Sequence, residues 1–336
     1  MKTLTRKIAA LAALLLSVLA LASCEQQIVA KNRIFYEYFD TVSVVYDYTG
    51  GTQADFDATC ALVEAELAEC HRLYDIYEEY DGVTNLKTLN DRAGMGAVKV
   101  DERIIDLLTF SVEMYELTDG NVNVAMGSVL SIWHRERELG EKIPTPEELS
   151  AAAEHTDITK MVIDREAMTV ELCDPEMSLD VGAVAKGYTA ERIALMLKER
   201  GISGYVLDFG GNLRAVGEKP SGDGWVSGIR NPDPLAPDAY VRTVMVRDAA
   251  LVTSGTYERF YTVGEVSYHH IISKDTLMPA DKYVSVTIMS PSSALADALS
   301  TAVFNMTPDE ARSLADSLGN IEITLVTADG EVTVIS

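Results

Sequence analysis

Apolar residues recur at Phe56, Cys60, Val63, Leu67, Cys70, Tyr74 and Tyr77. These steps of three and four mark one buried face of a helix over 54–79. A second such face, Ile104, Ile105, Leu108, Val112 and Tyr115, predicts a helix over 101–117. Thr145-Pro146-Glu147-Glu148 and Thr307-Pro308-Asp309-Glu310 carry the cap, the proline and the returning glutamate of helix starts. A helix running to about Arg200 is closed by Gly201, and another is expected over 293–306. Aromatic and β-branched runs predict strands at 34–48, 204–209, 241–246, 269–273 and 284–289. Hairpins are expected between 161–163 and 169–172 and around Asp329-Gly330, and the polar stretch 81–98 reads as loop. Helices and strands mix without a regular βαβ repeat, so the expected class is α+β with mixed or antiparallel sheets.

Composition narrows the function more than the fold. Among 336 residues, 28 are basic and 52 acidic, a formal charge of −24, which disfavours nucleic acid as a partner. Lys2, Arg6 and Lys7 followed by the apolar run 8–22 read as an export signal over 1–23. Leu21-Ala22-Ser23-Cys24 resembles the bacterial lipobox, so Cys24 is the expected lipidation site. Loss of the three basic residues of 1–23 takes the charge to −27, so membrane attachment is expected through the lipid anchor alone. Residues 24–33 read as a tether and 34–336 as a single domain. Cys60 and Cys70 are ten helical residues apart, about 15 Å, beyond disulfide reach. Both read as small core residues, and so does Cys173.

Three features could carry chemistry. Asp297 and Thr301 are four apart on an otherwise apolar helix, so carboxylate and hydroxyl share a face. Such oxygens suit Mg²⁺, although a helix-start aspartate and a back-bonded threonine explain the same spacing. Gly182 and Gly187 bracket a turn that lets a ligand approach backbone at a helix start, with Lys186 adding positive charge. Gly210-Gly211-Asn212 is a second such turn; neither is a P-loop or a dinucleotide fingerprint, and both are also ordinary strand connections. His269 and His270 alternate on the expected strand, so at most one enters a given site.

Taken together, these segments are similar to the ApbE family of flavin transferases. The likeness rests on 180–188, Gly210-Gly211-Asn212, Thr253-Ser254-Gly255 with Tyr257-Glu258, His270-Ile271-Ile272 and 296–302, in order, and on Thr118-Asp119-Gly120 before Trp133. The resemblance implies an ApbE-like (T-fold-like) domain that uses Mg²⁺ to split FAD and attach FMN to a Thr or Ser of an exported acceptor. It implies that Asp297 and Thr301 hold Mg²⁺ with a backbone carbonyl, that of Ala183. It places Asp180, Lys186 and Gly187 on the pyrophosphate side and Gly210, Gly211, Asn212 and Ser254 against the nucleotide. His270 would assist the acceptor hydroxyl, with Tyr77, Asn90 and Met126 as flavin or adenine contacts. The acceptor motif D-x-x-[ST]-G-A-[ST] is absent from this chain, so the acceptor is another protein, and the expected setting is the bacterial cell envelope.

Two departures bear on the last step. Where the family has H-I-I-D-P-x-T-G, this chain has Ser273, Lys274 and Leu277 in place of the acid, proline and glycine. The aspartate and proline usual after T-D-G are missing from 121–125. FAD hydrolysis to FMN and AMP, or FAD binding without turnover, are the competing expectations.

Overall fold

The computed structural model describes residues 30–336; the export signal and Cys24 lie outside them. The first half of the chain forms β1 (Lys31–Phe35), β2 (Ser43–Asp47), α1 (Gln53–Tyr74), α2 (Leu86–Asp91), β3 (Val98–Lys99) and α3 (Glu102–Leu117). It continues through α4 (Gly127–Leu139), α5 (Pro146–Ala153), β4 (Met161–Asp164), β5 (Thr169–Leu172) and α6 (Ala185–Glu199). Six strands and a loop-rich segment follow: β6 (Tyr205–Phe209), β7 (Asn212–Val216), β8 (Trp225–Arg230), β9 (Tyr240–Val246), β10 (Ala250–Gly255) and β11 (Phe260–Val263). The chain closes with β12 (Val266–His269), β13 (Ser285–Ser290), α7 (Ser293–Phe304), α8 (Pro308–Leu318), β14 (Glu322–Val326) and β15 (Val332–Ile335).

One eight-stranded sheet, ordered β1-β2-β6-β7-β10-β13-β14-β15, organises the molecule. All its neighbours pair antiparallel, as the α+β expectation requires. Alternation along the strands sends one set of side chains to each face. On one face α1 and α6 bury Val63, Leu67, Ile193 and Leu197 against Val45 and Leu207. Farther along that face α7 sets Ala296, Leu299 and Val303 against Val252, Val286 and Ile288. The opposite face packs Val206 and Ala215 under Trp225 and Val246 of the β8–β9 hairpin. A satellite core of Trp133, Leu149, Tyr261 and Ile272 joins α4 and α5 to the β11–β12 hairpin.

Local chemistry sets the boundaries. Capping boxes start α5 at Thr145 and α8 at Thr307 as expected, and Thr52 and Asn85 start α1 and α2 in the same way. The helix expected to reach residue 79 stops at Tyr74. The Asp75 carboxylate accepts from the amides of Tyr77 and Glu78 at 2.7 and 3.0 Å, giving the backbone an alternative to the helix. The strand expected over 34–48 is a hairpin, turned where Phe39 and Asp40 adopt positive φ (53° and 49°). Its first strand starts at Lys31, inside the expected tether. The stretch 81–98 holds the short helix α2 rather than loop alone. Cys60 and Cys70 are buried, but Cys173 is exposed because it lies one residue beyond the end of β5.

Candidate active site

Helix α6 begins without a side chain from its own cap residue, Val184. The amide of Gly187, in its first turn, instead donates to Oδ2 of Asp297 at 2.7 Å. A helix start leaves such amides without intrahelical partners, and its dipole favours a negative group there. Asp297 therefore serves as the cap of a helix 110 residues earlier in the chain. Only glycine fits at 187: a Cβ would stand 2.3 Å from Asp297 Cβ and 2.4 Å from the Ser293 carbonyl oxygen. Gly187 is thus the point where α6 and α7 touch backbone to backbone.

Asp297 is 4% exposed. Burial pushes its carboxyl above the usual range, opposed by the Lys186 ammonium, the Gly187 amide and the Asn212 side chain. Lys186 Nζ lies 3.9 Å from Asp297 Oδ2 and donates to the Gly182 carbonyl at 3.2 Å, so it spans from the 181–184 turn to α7. Asn212 enters from the start of β7, and its buried Oδ1 has no hydrogen-bond partner. Thr301 follows one helical turn after Asp297, half-buried, and Ala183 lies half-buried in the turn before α6. Among the described residues no three His, Cys, Asp or Glu side chains gather to hold a metal ion. A cation here would meet one carboxylate and neutral oxygens, a donor set that suits Mg²⁺. The orphan Asn212 oxygen and the buried, incompletely neutralised carboxylate both fit such a group.

The strand expected over 269–273 instead ends at His269, so the two histidines part at the strand's end and not by alternation along it. His269 turns inward, its Nε2 2.7 Å from the Ala280 carbonyl. His270 is half-buried, and the Arg259 carbonyl lies 3.1 Å from its amide and 3.2 Å from its Nδ1. Nδ1 can meet a carbonyl only as a donor, so the proton sits there and Nε2 keeps its lone pair. Burial, then the charges of Arg259 and Lys186, lower this imidazole to about 3.

The remaining expected residues fall into two groups. Asp180 accepts from the Gly182 amide at 2.8 Å and so shapes the turn before α6. Tyr77, released from α1 by Asp75, lies against His134, the ring centroids 5.2 Å apart and the planes tilted by 31°. Burial and the Asp180 carboxylate push its phenol up to about 12. Gly210 and Gly211, with φ of 61° and 89°, make the tight β6–β7 turn that delivers Asn212. Ser254 is tied to Ser300 at 2.7 Å, and Ser300 in turn bonds the Asp297 carbonyl, so Ser254 anchors α7 to β10. Met126 is buried at the start of α4, bridged to Ser178, and lines a pocket with Asn123, Lys274 and Leu277 whose walls include none of Asp297, Lys186 or His270. Asn90 stands behind the site: both its amide atoms bond the backbone of Leu179, at 2.7 and 3.0 Å. Arg259 escaped the sequence reading, because only its carbonyl and its charge act, neither of which leaves a motif.

A profile of the ApbE family matches residues 40–325. The FAD:protein FMN transferase of Treponema pallidum is 33% identical over 262 residues, covering 74% of this chain and 72% of that protein. That of Escherichia coli K12 is 25% identical over 330 residues, covering 95% and 92%. The crystal structure of the ApbE protein of Thermotoga maritima aligns with a TM-score of 0.80 at 25% identity, over 92% of this chain and 97% of that one. The match takes in the Gly187–Asp297 contact, the β6–β7 turn and the His270 segment alike, and the chain belongs to the ApbE family.

Proposed function

We propose that the protein is a Mg²⁺-dependent FAD:protein FMN transferase acting on an exported acceptor that carries D-x-x-[ST]-G-A-[ST]. The observation that carries this reading is the buried Asp297 carboxylate, seated on the first turn of α6 beside Lys186 and an unpartnered Asn212 oxygen. The names of the relatives support the flavin chemistry. Asp297, Thr301 and the Ala183 carbonyl would hold the cation. Bound there, Mg²⁺ would neutralise charge that builds on the diphosphate as its bridge breaks.

The protein's own groups supply the rest. Lys186 and the amides at the start of α6 orient the diphosphate of FAD. The Thr or Ser hydroxyl of the acceptor forms a bond to the phosphorus of the FMN half. The bond from that phosphorus to the bridging oxygen breaks, and AMP leaves. The hydroxyl proton passes to His270 Nε2, which is available because Nδ1 is fixed on the Arg259 carbonyl. The negative diphosphate opposes Arg259 and Lys186, raising the basicity of His270 when substrate is present. The lipobox-like 21–24 supports export and anchoring through Cys24, and the proposed setting is the bacterial cell envelope, on the periplasmic or extracytoplasmic face of a membrane.

Incubation with FAD, Mg²⁺ and an acceptor-motif peptide tests the reading. A flavin-labelled peptide with equimolar AMP is expected, abolished by EDTA. Free FMN without labelled peptide would replace transfer by hydrolysis, and intact FAD would reduce the protein to a binder.

A further inference from the structure

Behind Asp297 lies a buried ion pair that no step above uses. Arg214 is 2% exposed, and its guanidinium grips Glu191 with two bonds, Nε to Oε2 at 2.9 Å and Nη2 to Oε1 at 3.1 Å. The same Glu191 Oε2 accepts from the amide of Ser293, the first residue of α7, at 2.6 Å. Arg214 also donates to the carbonyl of Ala215 and, at 3.4 Å, to Asp248, which is itself paired with Lys198 at 2.6 Å.

The placement is regular. Glu191 lies one turn beyond Gly187 on α6, and Ser293 one turn before Asp297 on α7. The two helices therefore hold each other at two polar points a turn apart: Gly187 on Asp297, and Glu191 on Ser293. Arg214 shares a face of β7 with Asn212, two residues away, so one strand supplies both a site residue and the brace of the clamp. A carboxylate at a helix start is favoured by the dipole. Yet the Ser292 hydroxyl already caps α7 by accepting from the Leu295 amide at 3.4 Å, so Glu191 is not needed for the helix to form. A buried ion pair is also weak evidence for stability, since apolar residues of equal volume often replace it without loss.

We infer that Glu191 and Arg214 are positioning residues: they fix the first turn of α7 against α6, and so hold the Asp297 carboxylate where its ligand binds. This rests on the reading of Asp297 given above. The test substitutes both with apolar residues of similar length, Glu191→Met with Arg214→Met. Two readouts are followed: Mn²⁺ binding by electron paramagnetic resonance, and hydrogen exchange of the Gly187 amide, which reports the Asp297 contact with no metal present. Expected are an unchanged melting temperature, roughly tenfold weaker Mn²⁺ binding, as for other residues that orient metal ligands, and faster exchange at Gly187 but not in β10 or β13. Wild-type values in either readout overturn the inference. Should the double variant fail to fold, Glu191→Gln, which keeps volume and an acceptor for Ser293, is measured instead; faster Gly187 exchange supports the clamp and unchanged exchange overturns it. If the wild type binds no Mn²⁺ that Asp297→Ala removes, the metal reading fails, and Gly187 exchange alone decides the clamp.

Discussion

Replacing Gly187 by Ala sets two effects of opposite sign against each other. Gly187 has an ordinary helical backbone, since its φ is not positive. In an open helix the alanine would stabilise by about 1 kcal/mol. Here the new methyl would meet Asp297 Cβ at 2.3 Å and the Ser293 carbonyl oxygen at 2.4 Å, more than 1 Å inside ordinary contact. Neither atom is the free end of a flexible side chain, so the helices must separate. Overpacking of this kind costs about 3 kcal/mol, leaving a net loss of about 2 kcal/mol. For a chain of this length that is a fall of roughly 3 °C in melting temperature. The same separation moves the Asp297 carboxylate away from the Gly187 amide, and a misplacement of about 1 Å near reacting groups costs on the order of a hundredfold in rate. Scanning calorimetry and Mg²⁺-dependent release of AMP from FAD measure the two effects separately. A variant that melts higher than wild type and releases AMP at the wild-type rate would show that helix propensity alone operates, and that the tight α6–α7 contact is absent.

Other positions give simpler tests. His270 is held at about 3 in the folded chain, whereas an unfolded imidazole titrates near 6.5. The unfolded state thus binds the extra proton between these values, and stability present above about pH 6.5 is lost as pH falls toward 3. Urea unfolding at pH 7 and pH 5 should show a smaller acid loss for His270→Gln than for wild type, and equal losses contradict the assigned burial. Leu277 stands where the family has glycine and adopts φ 57°. Leu277→Gly should therefore be more stable than Leu277→Ala by about 1 kcal/mol, the reverse of the usual order, and an alanine variant at least as stable would deny the left-handed backbone. Asn90→Ala strips both partners from the Leu179 backbone and should cost about 2 kcal/mol in denaturant unfolding; a loss below about 0.5 kcal/mol would show that those bonds are not made.

What could be read from the sequence was local. Thr145, Thr307, Gly201 and Asp329-Gly330 marked their boundaries because caps and turns are decided within four residues. Asp297 and Thr301 stood out because a carboxylate and a hydroxyl sat one turn apart on a helix otherwise small and apolar. Periodicity alone carried α1 through Tyr77, since the apolar spacing continues past the Asp75 side chain that ends the helix. The α4 helix went unread: its buried Val129, Trp133 and Glu136 include a charge, and its cap residue Met126 makes no side-chain bond. The need for glycine at 187 and the Arg214–Glu191–Ser293 clamp depend on partners 23 to 110 residues away. No local pattern encodes such a meeting; packing of α6 on α7 creates it.

A crystal of the chain soaked with FAD and Mn²⁺ would locate the cation by its anomalous scattering. The expected result is one peak bounded by the Asp297 carboxylate, the Thr301 hydroxyl and the carbonyl of Ala183, with the diphosphate of FAD on its open side. A peak elsewhere, or a diphosphate bound away from Asp297 and Lys186, would contradict the assignment of this buried carboxylate to the metal.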